Sequence, residues 1–149
     1  SMMDRIVNRV EIDTHYREIT DYRRREPENT AADAITAAAR QIAQTVFAAA
    51  IVTFSTSGST TMRAARERPT VPILGLTPKK SIARRLALVW GINSVVTPEL
   101  TRFNEMVDVA AEAAINQEFA AEGDSIIVTA GVPFGTPNAT NVLRIAKVH

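Results

Sequence analysis

The chain has 149 residues, of which 46% are hydrophobic and 22% charged, and this balance fits one globular domain with a normal core. Its 17 basic and 16 acidic residues leave a net charge of +1, which argues against nucleic-acid binding, because that needs a basic excess on one face. There is no cysteine, which excludes disulfides and thiolate metal sites. The longest apolar run, residues 46–52, is too short to span a bilayer. We therefore expect no membrane contact and, without a signal-peptide pattern, a cytoplasmic protein.

The first segment has the pattern of an isolated amphipathic helix. Apolar residues recur at near-helical spacing at Met3, Ile6, Val7 and Val10, and the charged stretch "DYRRREPENT" follows them. This predicts a helix and then a linker. Because the rest of the pattern offers that helix no partner, we expect its apolar face to pack on another domain.

An alanine-rich helix is predicted next, running to about residue 47 and capped by Thr30 or Asn29. So many alanines indicate close packing against a sheet or another helix. The helical period predicts a buried stripe of Ala34, Ile35, Ala38, Ile42, Thr45 and Val46.

Short apolar runs then alternate with helical segments. Helices are expected at 60–68, 79–90 and 101–120, and strands in "AAAIVTFS", "VPILGLT", "INSVVTP", "GDSIIVTAG" and "TNVLRIAKV". Strands joined by single helices pair in parallel, whereas the last two strands have no helix between them. The pattern predicts a three-layer α/β/α domain with a five-stranded, mostly parallel sheet whose last strand is antiparallel. Ligands bind beyond the carboxyl ends of such strands, where residues 55–61, 77–80 and 131–141 would converge.

The hydroxyl-rich loop after the first strand is the strongest candidate for a binding site. Gly58 permits a tight turn, and the following helix offers free N–H groups and a partial positive charge. A phosphate would fit there, but hydroxyl residues before a helix also serve as N-caps with nothing bound, and both interpretations stay open. Lys79 and Lys80 are interpreted as solvated charge rather than as ligands. The proposed anion cradle consists of Ser55, Thr56, Ser57, Gly58, Ser59 and Thr60.

No pattern of an independent enzyme is present in the sequence. The loop has neither the glycine and lysine spacing of a P-loop nor the Gly-x-Ser-x-Gly of a nucleophile elbow. His15 and His149, the two histidines, lie at opposite ends of the chain and offer no base to a serine. We assign no catalytic residue and no metal site, and a small free-standing enzyme is the least favoured interpretation.

The closing segment "GDSIIVTAGVPFGTPNATNVLRIAKV" resembles the last segment of bacterial pyruvate kinases. The stretch "VTFSTSGSTTMRAARERPTVPILGLTP" is similar to a strand, loop, helix and strand of the same family, and "MMDRIVNRVE" resembles the helix that leaves its catalytic barrel. The resemblance covers essentially the whole chain. It implies that residues 1–26 are the helix and linker from the barrel and that residues 27–149 are the pyruvate kinase C-terminal domain.

The resemblance also implies the activity of a parent enzyme. That enzyme would transfer a phosphoryl group from phosphoenolpyruvate to ADP in glycolysis, giving pyruvate and ATP. In the family the barrel holds the active site with Mg²⁺ and K⁺, and the barrel motifs do not occur here. We therefore expect this chain alone to be inactive, with no cofactor of its own.

In that family the C-terminal domain binds an allosteric phosphorylated effector. By position, the cradle of Ser55 to Thr60 would hold the phosphate, and Gly135, Thr136, Pro137, Asn138 and Ala139 would form the effector loop. Neither segment contains lysine or arginine, which favours AMP or a sugar monophosphate over fructose 1,6-bisphosphate. The alternative is that the domain chiefly serves oligomerisation, as a dimer within a tetrameric parent, with an unused anion site.

Overall fold

The computed structural model of the chain describes residues 30–100, 102–131 and 140–149. The helix and linker predicted for residues 1–26 fall outside that range, as does the effector loop of residues 135–139. The elements of the described chain are, in order, α1 (Ala31–Thr45), β1 (Ala50–Phe54), α2 (Ser59–Arg66), β2 (Ile73–Thr77), α3 (Lys80–Leu86), β3 (Ile92–Val96), α4 (Phe103–Asn116), β4 (Ser125–Ala130) and β5 (Val142–Lys147).

The five strands form one sheet in the order β3-β2-β1-β4-β5. Strand β1 pairs in parallel with β2 and β4, β2 pairs in parallel with β3, and β5 runs antiparallel to β4. The predicted fold class is thus confirmed. The predicted helices extend too far, however: α3 ends at Leu86, and Gly91, at a φ of +77°, turns the chain toward β3.

Helix α1 begins where the sequence predicts but buries a different face. The Thr30 Oγ1 accepts a hydrogen bond from the Asp33 amide at 3.2 Å, which confirms the cap. The predicted buried stripe is wrong, since Ala34, Thr45 and Val46 are exposed. The residues that α1 buries are Ala32, Thr36, Ala39, Arg40 and Ala43.

The sheet face that carries α1, α2 and α3 has a row of mostly small or hydroxyl residues across it. Side by side on the five strands lie Ser94, Gly75, Thr53, Thr129 and Leu143. Helix α2 packs closely on this row, since Thr61 Oγ1 lies 2.7 Å from Thr53 Oγ1. The small side chains let the start of α2 sit directly on the carboxyl half of the sheet.

The opposite face is apolar and is packed against α4. Met106, Ala110 and Ala114 of α4 are fully buried there, against a cluster that includes Val52, Leu74, Ile126 and Val128. Each of these strand residues alternates with one that points to the three-helix face, as the period of a strand requires. The row of small and hydroxyl residues therefore lies on the three-helix side of the sheet, and the apolar core lies on the side of α4.

Candidate anion site at the carboxyl edge of the sheet

The cradle connects the carboxyl end of β1 to the first turn of α2. Gly58 is the N-cap of α2 and has a φ of +87°, a left-handed conformation that favours glycine. A Cβ at this position would also lie 3.2 Å from Ile82 Cγ2 and 3.4 Å from Leu86 Cδ2 of α3. The tight turn predicted at Gly58 is confirmed, and the same glycine lets α3 approach the loop.

The hydroxyls of the loop accept hydrogen bonds from only some of the free amides at the start of α2. Because Gly58 is the N-cap, no side chain caps α2 from that position. The Gly58 amide donates to Ser55 Oγ at 2.8 Å, and the Ser59 amide donates to Ser57 Oγ at 3.4 Å. The first four amides of a helix lack intrahelical acceptors. The amides of Thr60 and Thr61 have no hydrogen-bond acceptor among the described residues.

Two buried hydroxyl pairs anchor the first turn of α2 from beneath. Thr61 Oγ1 is 2.7 Å from Thr53 Oγ1 on β1, and Thr60 Oγ1 is 2.6 Å from Thr140 Oγ1, one residue after the effector loop. Farther along α2, Arg63 Nε lies 3.2 Å from an Asp33 carboxylate oxygen on α1. Helix α2 is therefore held to β1, to the residue at position 140 before β5, and to α1.

The geometry at this edge is suited to binding a small anion. The loop has exposed or half-buried hydroxyls at Thr56, Ser57 and Ser59, and the helix dipole places partial positive charge beside them. Hydroxyls and amide N–H groups are the donors that bind phosphate at helix N-termini. No residue of the cradle carries a charge, so recognition would depend on hydrogen bonds rather than on ion pairs.

The structure brings the predicted cradle residues together with one neighbour that the sequence did not single out. Ser55, Thr56, Ser57, Gly58, Ser59 and Thr60 form one continuous turn. Thr140 meets Thr60 in a buried contact; the only sequence signal for it is the expectation that residues 131–141 share the rim. Lys79 also lies at this edge, where its amide donates to Thr77 Oγ1 at 3.3 Å, and its side chain is exposed, consistent with solvated charge.

A separate groove of about 480 Å³ lies between α4 and β5. Its walls include Asp108 and Glu112 on α4 and Arg144 and Lys147 on β5. None of the predicted cradle residues lines it. In the described part of the chain, no three His, Cys, Asp or Glu side chains are grouped to hold a metal ion. None of the described helices combines the length and apolar character needed to cross a membrane.

The fold and this edge define a three-layer α/β domain with a candidate anion site above the carboxyl ends of its strands. Residues 33–146 match the family described as "Pyruvate kinase, alpha/beta domain", and the chain belongs to that family. It is 46% identical over 146 residues to a pyruvate kinase of Methylorubrum extorquens, covering 98% of this chain and 30% of that protein.

Two further relatives give the same result. A pyruvate kinase of Agrobacterium vitis is 37% identical over 98% of the chain and 31% of its own length. One of Geobacillus stearothermophilus is 37% identical over 96% of the chain and 24% of its own length. The family resemblance is confirmed, and the chain spans less than a third of the length of these relatives.

Proposed function

We propose that this chain is the regulatory C-terminal domain of a pyruvate kinase and that its cradle binds one phosphate group of an allosteric effector. The whole protein would transfer the phosphoryl group of phosphoenolpyruvate to ADP. Its Mg²⁺ and K⁺ would belong to the barrel. No step of the chemistry is assigned to the residues of this chain.

The observation that carries the proposal is the incomplete capping of α2. The hydroxyls of Ser55 and Ser57 accept hydrogen bonds from the amides of Gly58 and Ser59. The next two amides, those of Thr60 and Thr61, have no acceptor among the described residues and can donate to a ligand. A phosphate has enough acceptor oxygens to take both and to accept from the Ser59 hydroxyl as well. An effector regulates only through different affinities for two states of the enzyme.

The lack of charge in the cradle supports a single phosphate as the recognised group. Bidentate or point-charge recognition of phosphate relies on arginine or lysine, and residues 55–60 contain neither. AMP or a hexose or pentose monophosphate therefore fits better than fructose 1,6-bisphosphate. Residues 135–139 would close over the rest of the ligand.

Calorimetric titration of the full-length protein that contains these residues tests this function. AMP, ribose 5-phosphate, glucose 6-phosphate and fructose 1,6-bisphosphate are compared for the wild type and for Ser57→Ala combined with Ser59→Ala. We expect one monophosphate to bind and the double variant to lose at least about tenfold in affinity, since hydrogen bonds to charged groups are the stronger kind. Thr45→Ala, at the exposed far end of α1, is the matched control and should bind normally. Equal affinity in all three proteins would contradict the site.

A second candidate function, assembly, is favoured by the exposed edge strand β5. Strand β5 pairs with β4 on one side, and Ile145 on it is 49% exposed. No other described strand pairs with the outer edge of β5, and such an edge with an exposed apolar residue is a template for another strand. The adjacent groove has acidic residues on α4 and basic residues on β5.

Sedimentation equilibrium separates the two functions. If β5 pairs with a second copy, Ile145→Lys should weaken association without abolishing effector binding at the cradle. Lys147→Ile keeps the strand but removes a charge at its end, and serves as the comparison. An unchanged association state in Ile145→Lys would remove β5 from the interface.

A further inference from the structure

We propose that the hydrogen bond between Thr60 and Thr140 couples the first turn of α2 to the edge strand β5, so that occupancy of the cradle is transmitted to β5. The part that involves a ligand rests on the proposed effector site. The coupling between the two elements is a property of the fold itself. Thr140 is a positioning residue in this proposal, because it acts on the site through Thr60.

The contact is short, buried and long-range in sequence. The two Oγ1 atoms are 2.6 Å apart and join residues separated by 80 positions. Thr60 is 4% exposed and Thr140 is 1% exposed. Water therefore cannot replace either partner, and removing one hydroxyl would leave the other buried and unsatisfied, which is costly.

The beginning of β5 is also held by its pairing with β4. The Asn141 amide donates to the Ala130 carbonyl at 3.1 Å, which starts the ladder to β4. Beyond it, Val142 and Leu143 are half-buried, and Arg144 is exposed. The link to Thr60 adds an attachment to α2, which the ladder to β4 does not provide.

A ligand in the cradle would act on the same residue through its amide, because the Thr60 hydroxyl is buried. The Thr60 amide has no acceptor among the described residues. A phosphate that accepts from this amide would hold the first turn of α2 in place, and with it the Thr60 hydroxyl that meets Thr140. Phosphate binding should therefore tighten the attachment of β5.

Hydrogen exchange on the full-length protein tests the coupling without any ligand. Thr60→Val should speed exchange of the Asn141 amide about fivefold, the effect of one typical hydrogen bond. Thr140→Val should speed exchange of the Met62 amide, which donates to Gly58 in the first turn of α2. Thr140→Ser keeps the hydroxyl and should restore wild-type exchange at both positions, which a packing role of the methyl group would not do.

Thr61→Val is the matched control, because it breaks an equally buried pair of the same helix turn that leads to β1 instead of β5. Exchange at Asn141 that responds equally to Thr60→Val and Thr61→Val would overturn the coupling. If either valine variant fails to fold, Thr60→Ala compared with Thr60→Ser provides the same comparison.

A second arm of the experiment adds AMP or inorganic phosphate. Protection of Asn141 should rise on binding in the wild type and stay unchanged in Thr140→Val. Binding that leaves Asn141 unaffected in the wild type would overturn the transmission to β5. If neither probe binds, the proposed effector function fails, while the ligand-free exchange still decides whether α2 and β5 are coupled.

Discussion

Gly75→Ala should destabilise the domain because α2 leaves no room for a methyl group on β2. An added Cβ would lie 2.8 Å from Thr61 Cγ2 and 3.3 Å from Thr61 Oγ1, whereas carbon atoms pack at about 3.5–4.0 Å. Thr61 is fully buried and is held by Thr53 at 2.7 Å. It must either shift with α2 or rotate and lose that hydrogen bond.

The expected magnitude follows from these contacts. Overpacking a core costs about 1–3 kcal/mol, and an unpaired buried hydroxyl costs a similar amount if Thr61 rotates. Alanine recovers about 0.4–1 kcal/mol by restricting the unfolded chain. We therefore expect Gly75→Ala to lower the free energy of unfolding by about 1–3 kcal/mol, measured by urea denaturation with an unchanged m-value.

The double variant Gly75→Ala with Thr61→Ser tests the cause. Serine removes the Cγ2 atom that the new methyl group meets and keeps the hydroxyl that binds Thr53. Its stability should lie close to that of Thr61→Ser alone, so that the two substitutions are strongly non-additive. Full additivity, or a Gly75→Ala protein as stable as the wild type, would refute the steric argument.

Two further predictions concern positions away from the site. Phe47 follows the C-cap of α1 with a φ of 55° and is 91% exposed. Phe47→Gly should therefore raise the free energy of unfolding by about 0.5–1 kcal/mol. Phe47→Ala keeps a Cβ in the left-handed region and should give no gain in the same urea titration. Met106 is fully buried on α4, whereas Met62 is 41% exposed on α2. Met106→Ala should lower the free energy of unfolding by about 2–5 kcal/mol, and Met62→Ala should lower it by less than about 0.5 kcal/mol. Similar losses of stability in both variants would contradict the assignment of the core.

The sheet topology could be predicted because it follows from local patterns. Each of the first three strands is followed by a helix that brings the chain back to start a parallel strand, and residues 131–141 contain no helix pattern, so β5 had to be antiparallel. The turn that starts α2 could be predicted for the same reason, since residues 55–60 are contiguous and Gly58 marks the turn.

The buried face of α1 could not be predicted from hydrophobicity. In a helix of alanines, the buried positions are selected by size and close approach, so a polar residue can lie inside if its hydrogen bonds are satisfied. Thr36 is such a residue: its hydroxyl donates to the Ala32 carbonyl of the preceding turn at 2.7 Å. The predicted stripe followed Ile35 and Ile42, which are only half-buried.

The contact between Thr60 and Thr140 was also beyond sequence reasoning. Local patterns place both residues near the same edge but do not reveal which side chains meet across 80 positions. The close approach of Thr61 to Gly75 is of the same kind, since it depends on how far α2 descends onto the sheet.

The absence of charged side chains in the cradle has a consequence for how a ligand would be selected. Site lysines attract every polyanion and lose affinity steeply as ionic strength rises. Amide and hydroxyl donors at a helix start act over about one turn, so binding here should depend less on salt and gain little from long-range steering. Such a site would discriminate by the shape and number of phosphate oxygens it can reach, and more highly charged di- and triphosphates would have no electrostatic advantage over a monophosphate.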